Sequence, residues 1–263
     1  MTTGPKQTRL PTHIHPHAIL KGLAGLGTLV ILWWLLTDVL ASNQTMAQRF
    51  GPGPAWAALA DLLVGQEIWH HAAVSLQRVL IGLGMAAAIG IPLGLVLGWW
   101  QAVNDALSPT FQFLRMISPL SWMPIAVMVF GIGDQPVYFL LAFAAVWPIM
   151  LNTLAGVKAV DPRWLALGQS LSASRLESWR HIVLPAITGH VLTGLRLAIG
   201  VVWIVLVPCE MLGVSAGLGY FILDTRDRLD YPALMATILM IGALGFLLDW
   251  TLRTLCQTRK LAS

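Results

Sequence analysis

Gly213-Val214-Ser215-Ala216-Gly217 has the G-x-S-x-G pattern of a nucleophile elbow, where a strained strand-to-helix turn exposes a serine for acyl transfer. The residues before it form a long apolar run, which predicts a membrane helix instead of the strand an elbow needs. An intramembrane serine hydrolase escapes that objection but requires a base beside Ser215. No histidine follows His190, and a helix of about 20 residues, rising roughly 30 Å, separates the two. A loop is the plainer reading. His13, His15 and His17 alternate on a proline-rich stretch without the further ligands of a closed metal site, so no metal is expected. No G-x-x-x-x-G-K-S/T loop occurs, and nucleotide hydrolysis would have to come from another polypeptide.

The remaining reactive groups are charges set in apolar surroundings, where they are costly. Glu210 and Arg196 fall in one apolar run, fourteen positions apart, which is about 21 Å along a helix and too far for a direct bond. Glu210 is expected either at an outer gate or in a bond anchoring the loop 213–219. Arg196 is expected to help fix a cytoplasmic loop, or to be a snorkelling interfacial charge. Arg115 is the clearest basic residue beside a span; its expected depth is near the cytoplasmic surface, which makes it no selectivity residue.

The elements that must position these groups follow from composition. With 57% hydrophobic residues, 11% charged and a mean hydropathy of +0.73, the chain is solvated mostly by lipid. Windows long enough to cross roughly 30 Å of hydrocarbon run from Ile19 to Leu40, Val79 to Trp100, Leu114 to Phe130, Val137 to Val157, Thr188 to Leu212 and Pro232 to Leu255. The expected fold is therefore all-α, a polytopic membrane protein with six transmembrane helices.

Lysine and arginine set the orientation. Lys6, Arg9 and Lys21 precede the first span; Lys158, Arg163, Arg175 and Arg180 lie between the fourth and fifth; Arg253, Arg259 and Lys260 follow the sixth. These define a cytoplasmic side holding both termini, opposite Arg49, Arg78, Arg226 and Arg228. The net charge of +4 is then a matter of topology, and no nucleic acid is needed. A cleaved signal ending at Ala41 and Ser42 is less consistent with the five spans that follow than an uncleaved anchor is. Cys209 and Cys256 are expected as free thiols.

The organisation read from this is a cytoplasmic tail (1–18), a first anchor with an outer linker (19–71), a permease-like body (72–255) and a second tail (256–263). Trp56 to Ile68 is amphipathic and suits an interfacial linker. Gly90, Gly94 and Gly98 continue a four-residue spacing from Ala86 and form a small-residue stripe, suited to packing within the bundle or against a second copy. Prolines at 92, 119, 124, 148 and 208 are expected to bend or interrupt spans. The segment Tyr220 to Tyr231 alternates charge and suits a docking surface or a solvated loop with internal ion pairs.

Between the fourth and fifth spans lies a polar island, Asp161 to Pro185. Asp161-Pro162 begins it as a helix start, and one helix is expected to reach His181. Trp164, Leu165, Leu171 and Trp179 give it apolar surface, for the membrane face or for a cytosolic partner.

This island resembles the cytoplasmic loop of the inner-membrane permease subunits of binding-protein-dependent ABC importers. That loop reads E-A-A, three residues, Gly, nine residues, Ile, one residue, Leu-Pro. Here Ile182, Leu184 and Pro185 close the frame, Ala166-Leu167-Gly168 stand at E-A-A, and Ser172 stands at the glycine. Ser75-Leu76-x-Arg78-Val79, Pro119-Leu120-Ser121-Trp122-Met123-Pro124-Ile125, Phe130-Gly131-Ile132-Gly133 and Trp147-Pro148-Ile149-x-x-Asn152-Thr153 extend the resemblance, as do Gly194-Leu195-Arg196, Glu210-Met211-Leu212 and Gly217-Leu218-Gly219-Tyr220. Together they look like the branch that imports nitrate, bicarbonate, taurine and other sulfonates.

The resemblance implies a transport subunit of the bacterial inner membrane, not an enzyme. It implies a homodimer or paired permease, a cytosolic ATPase dimer that binds ATP and magnesium in place of any cofactor in this chain, and a periplasmic substrate-binding protein. It also implies an ATPase-coupling surface drawn from Asp161, Arg163, Trp164, Ala166, Leu167, Gly168, Leu171, Ser172, Ile182, Leu184 and Pro185, and pathway or gate residues Glu210, Trp122 and Asn152. The readings outside this class are the Ser215 hydrolase and a passive channel or scaffold.

Overall fold

The computed structural model describes residues 16–40 and 45–260. Expectations placed on residues 1–15, on Ala41 and Ser42 and on 261–263 fall outside them, as do the side chains of His17, Lys21, Arg175, Cys256, Arg259 and Lys260.

Among the described residues all regular structure is helical. In chain order the helices are α1 (Pro16–Trp34), α2 (Thr45–Gln48), α3 (Pro52–Val64), α4 (Glu67–Trp99), α5 (Gln101–Met116), α6 (Met123–Phe130) and α7 (Asp134–Lys158), then α8 (Pro162–Ser170), α9 (Arg175–Ser178), α10 (Leu184–Glu210), α11 (Leu218–Asp227) and α12 (Tyr231–Lys260). Four stretches are long and apolar enough to cross a membrane: Glu67–Trp99, Asp134–Lys158, Leu176–Glu210 and Tyr231–Thr254. A bent pair, Gln101–Met116 with Pro119–Phe130, makes a fifth if it is one broken span, and Ala24–Leu40 is shorter.

The third window, Leu114 to Phe130, is interrupted at Pro119, one of the prolines expected to bend or interrupt spans. Its two halves meet at 86°, and the local cause is Pro119. A residue before proline is pushed out of the α region, and Ser118 is accordingly at φ −59, ψ 131, with Ile117 at φ −76, ψ 126. Pro124 sits at the start of α6, where its missing N–H costs nothing. Pro92, Pro148 and Pro208 do not interrupt their spans: α4, α7 and α10 run through them.

Helices α4, α7 and α10 form the centre, sharing a core of Val79, Leu83, Ala86, Leu140, Leu141, Ile149, Val202 and Leu206 with their neighbours. The glycine stripe lets α4 and α7 approach. A Cβ on Gly94 would lie 2.6 Å from the Met150 carbonyl oxygen and one on Gly98 2.5 Å from Val157, while Gly90 faces Val146 and Ile149. The stripe is filled within the chain, which corrects the option of a second copy there. Helix α3 packs on α12, with Leu59 and Leu62 against a cluster of Ile68, Ala72, Leu218, Phe221 and Met240, so this segment is more than an interfacial linker.

Because α10 runs from Leu184 to Glu210, Pro185 and Glu210 name the two ends of the bundle. Glu67, Asp134, α11 and Tyr231 belong to the Glu210 end. Trp99, Lys158 and the polar island belong to the Pro185 end.

Candidate functional site

At the Glu210 end a set of polar side chains is sealed among apolar neighbours. Glu210 has no exposed surface and Arg78 is 3% exposed. Arg78 Nη1 donates to Glu210 Oε1 at 2.7 Å and to the Ala216 carbonyl at 2.6 Å, while its Nε and Nη2 donate to Asp134 Oδ1 at 3.0 and 2.6 Å. The Ser75 hydroxyl lies 2.8 Å from both Glu210 oxygens and accepts from the Leu218 N–H. Glu210 Oε2 also accepts from the Gly219 N–H at 2.9 Å, and His71 Nδ1 from the Gly217 N–H at 3.1 Å. Every charge there is paired and hydrogen-bonded, the condition under which burial is tolerated.

The cluster holds the loop 213–219 by its backbone. Gly217 has φ +118, and a Cβ there would lie 2.5 Å from Arg78 Nη1 and Glu210 Oε1, so glycine is required twice over. Ser215, in the same loop, is exposed and makes no hydrogen bond among the described residues. No strand precedes it, and His71 nearby already accepts from Gly217.

No sequence feature pointed to Asp134 or His71, while Arg78 stood out as an outward charge and as part of the Ser75-Leu76-x-Arg78-Val79 motif. One signal was present: Arg78 lies one residue before a long apolar run, a place where an ionisable group asks for a partner. Arg196 lies 3.5 Å from Asp249 of α12. That replaces its expected contact with the cytoplasmic loop. The charged segment Tyr220 to Tyr231 is largely helix α11, with Arg228–Asp224 and Arg226–Asp227 pairs at 2.8 Å.

At the Pro185 end the polar island is not one helix. Asp161 caps α8, its Oδ1 accepting from the Arg163 N–H at 2.9 Å, and Pro162 follows in the first turn. The helix then stops in a Schellman arrangement: Ala173 N–H reaches the Gly168 carbonyl at 2.9 Å, and Ser172 takes the left-handed position at φ 57. A capping box restarts the chain, Glu177 Oε2 accepting from the Ser174 N–H at 2.7 Å while Ser174 Oγ accepts from the Glu177 N–H at 3.3 Å. A π turn, Trp179–Val183, leads into α10.

Helix α8 therefore has two faces. Leu165 and Gly168 turn inward; a Cβ on Gly168 would come 3.0 Å from Ile182 Cδ1, so α8 packs closely on the turn that leads into α10. Trp164, Leu167 and Leu171, spaced i, i+3 and i+7, are 59%, 49% and 74% exposed, and Ala166 and Arg163 are exposed beside them. Leu184 and Pro185 start α10. A contiguous exposed apolar face rimmed by polar residues is the usual form of a protein-binding surface.

A third region lies midway. A cavity of about 390 Å³ is lined by Arg115, Ile117 and Pro119, by Ala144, Trp147, Pro148, Leu151 and Asn152 of α7, and by Leu197 and Val201 of α10. Asn152 Nδ2 donates to the Pro148 carbonyl at 2.8 Å. Trp122 stands apart from this cavity, its ring 5.6 Å from Phe143 and its buried Nε1 without a hydrogen-bond partner. Phe143 in turn contacts Trp147 edge-on at 5.5 Å. Glu210 is not in this region, since Asn152 lies eighteen residues from Asp134 along α7, about 27 Å.

Residues 90–259 match the family described as binding-protein-dependent transport system inner membrane component. The chain is 33% identical over 241 residues to the taurine transport system permease protein TauC of Escherichia coli (strain K12), covering 88% of this chain and 86% of that one. It is 37% identical over 246 residues to the bicarbonate transport system permease protein CmpB of Synechococcus elongatus, with coverage of 88% and 86%. To the nitrate import permease protein NrtB of Synechocystis it is 30% identical over 254 residues, covering 93% and 91%. A chain of the methionine ABC transporter MetNI in an inward-facing conformation superposes with a TM-score of 0.60 at 15% identity, covering 75% of this chain and 95% of that chain, a likeness of fold.

Proposed function

The chain belongs to the binding-protein-dependent transport system inner membrane component family, is the membrane-embedded permease subunit of an ABC importer, and on that premise we propose that its cargo is a small oxyanion. The observation that carries the cargo reading is that relatives named for taurine, bicarbonate and nitrate are similar to this chain at 33%, 37% and 30% identity over at least 86% of their lengths. Their named cargoes share a compact anionic oxygen group and little else.

In this reading two permease subunits enclose the pathway and the Pro185 end faces the cytoplasm, as the positive charges of the polar island favour. The first anchor counts as a sixth crossing, and both termini lie on the cytoplasmic side of the bacterial inner membrane. A cytosolic ATPase dimer, holding ATP and magnesium, docks on Trp164, Leu167 and Leu171, and a periplasmic binding protein delivers cargo at the Glu210 end. The packing of Gly168 on Ile182 supports mechanical transmission, because displacement of α8 moves the base of α10 with it. With alanine at position 166 where the family pattern has glutamate, that docking rests on shape and apolar contact.

The test is uptake into proteoliposomes holding the permease with its ATPase and binding protein. ATP-dependent accumulation of nitrate, bicarbonate, taurine or an alkanesulfonate is expected. Accumulation of a neutral or cationic solute in their place would overturn the cargo reading, and uptake that ignores ATP would favour the passive channel.

A further inference from the structure

The chain's buried and spanning charges are nearly all matched by opposite ones. Arg78 is held by Glu210 and Asp134, and Asp249 by Arg196 and Arg253. Arg115 differs. Its guanidinium has a neutral partner, the Gln112 amide oxygen at 2.9 Å, and no carboxylate within ion-pair distance among the described residues.

Arg115 is exposed on the single chain, and its depth along the bundle is what sets it apart. The cavity it lines is bounded by Trp147 and Pro148, beside the midpoint of α7 (Asp134–Lys158), and by Leu197, the midpoint of α10 (Leu184–Glu210). The expected depth near the cytoplasmic surface is thereby corrected to mid-span. Half of a hydrocarbon core of roughly 30 Å is farther than an arginine side chain reaches, so snorkelling does not bring this charge to the headgroups. The end of the α5 dipole offers it a fraction of a charge at most.

The cavity wall is mostly apolar, with a few polar groups set beside Arg115. Asn104, Ser108, Gln112 and Arg115 recur at intervals of four, four and three, which sets them on one face of α5 leading from the Pro185 end to the cavity. Asp105, which accepts from Gln101 and Asn104, is ten residues back, about 15 Å along the axis, and does not neutralise Arg115. Pro148 withholds the N–H that would have reached the Ala144 carbonyl, and both residues line the cavity, leaving an acceptor for water. A second amide N–H of Asn152 remains beside the one that holds the Pro148 carbonyl.

The geometry points to Arg115 as the residue that binds the transported oxyanion at mid-membrane, with the polar face of α5 as its track towards the Pro185 end. A guanidinium presents paired N–H donors that match nitrate, bicarbonate and sulfonate oxygens two at a time. The cavity volume of about 390 Å³ falls within the range of small-molecule sites, roughly 300–1,000 Å³. This inference rests on the oxyanion reading above.

The experiment uses the complete importer in proteoliposomes, with nitrate, bicarbonate and taurine as probes and co-purification of the ATPase as the assembly control. In R115Q, uptake of whichever anion the wild type carries is expected to fall about tenfold or more, with assembly kept. R115K, which keeps the charge and loses the fork, is expected to retain at least about a third of the wild-type rate with a raised half-saturation concentration. Wild-type anion uptake that R115Q leaves within about twofold overturns the role of Arg115 and leaves the cargo reading standing. Equal loss in R115Q and R115K with assembly kept supports it through the paired donors that lysine lacks, whereas loss of ATPase co-purification in both overturns it, since Arg115 would then serve assembly. A wild type that carries a neutral or cationic solute in place of these anions overturns both.

Discussion

Arg78 and Glu210, 132 residues apart, meet at 2.7 Å with almost no exposure on either side chain, and each also grips the loop 213–219. Neither charge is tolerable without the other in this setting. Glu210→Ala is therefore expected to lower stability by about 3–5 kcal/mol, since it leaves the buried Arg78 with only the half-exposed Asp134 as counter-charge and takes the acceptor from the Gly219 N–H. Asp134→Asn removes a partner whose side chain is 51% exposed and is expected to cost about 1 kcal/mol or less. Thermal unfolding of the purified permease in detergent measures both, and equal effects would contradict the burial argument.

Ser172 occupies the left-handed position that ends α8, at φ 57, where a side chain is strained and glycine is not. Ser172→Gly is expected to stabilise that turn by about 0.5–1 kcal/mol, and Ser172→Val to weaken it by at least as much. Hydrogen exchange at the Ala173 amide, which donates to the Gly168 carbonyl at 2.9 Å, reports the turn directly. Slower exchange in the glycine variant and faster exchange in the valine variant are the expected results.

That turn also shows what the sequence could and could not convey. The apolar windows located the long helices, because a lipid-facing helix must be apolar over its whole length. The break in the polar island was legible too, since Ser174-Arg175-Leu176-Glu177 is a capping box, but the apolar residues on both sides of it favoured one continuous helix. The Schellman turn explains why the family pattern has glycine at position 172. The Arg78, Glu210 and Asp134 cluster was not legible, for its members come from three helices and no local spacing links them. Arg115 was visible as a charge, yet its depth depends on where α5 breaks from α6.

Close approach of α4 to α7 depends on Gly94. A Cβ there would stand 2.6 Å from both the Met150 carbonyl oxygen and Thr153 Cβ, and backbone cannot yield as a side-chain tip can. Gly94→Ala is expected to destabilise by about 1–3 kcal/mol through overpacking. Gly84, ten residues earlier on the same helix, has nothing within 4 Å of such a Cβ. Gly84→Ala is expected to be neutral or to stabilise by up to about 1 kcal/mol from helix propensity. A melting temperature lowered in the first variant and not in the second checks the packing.

Trp164 and Leu171 are large apolar side chains held in the open on α8 and at its C-terminal cap, while the inner face of that helix packs Leu165 in a cluster with Val157 and Val183, and Gly168 against Ile182. Changing them to Trp164→Glu and Leu171→Glu removes little from the fold, because both side chains are mostly exposed, so the melting temperature of the isolated permease is expected to stay within about 2 °C. If this face docks the ATPase, each carboxylate would be desolvated in the interface, at a cost of about 2 kcal/mol or more per site. Co-purification of the ATPase is then expected to fall at least about tenfold in the double variant. Full retention of the ATPase by a folded double variant would move the docking surface away from this helix, and Gly168→Ala, which crowds Ile182 Cδ1, would then be the next place to look for the transmission path.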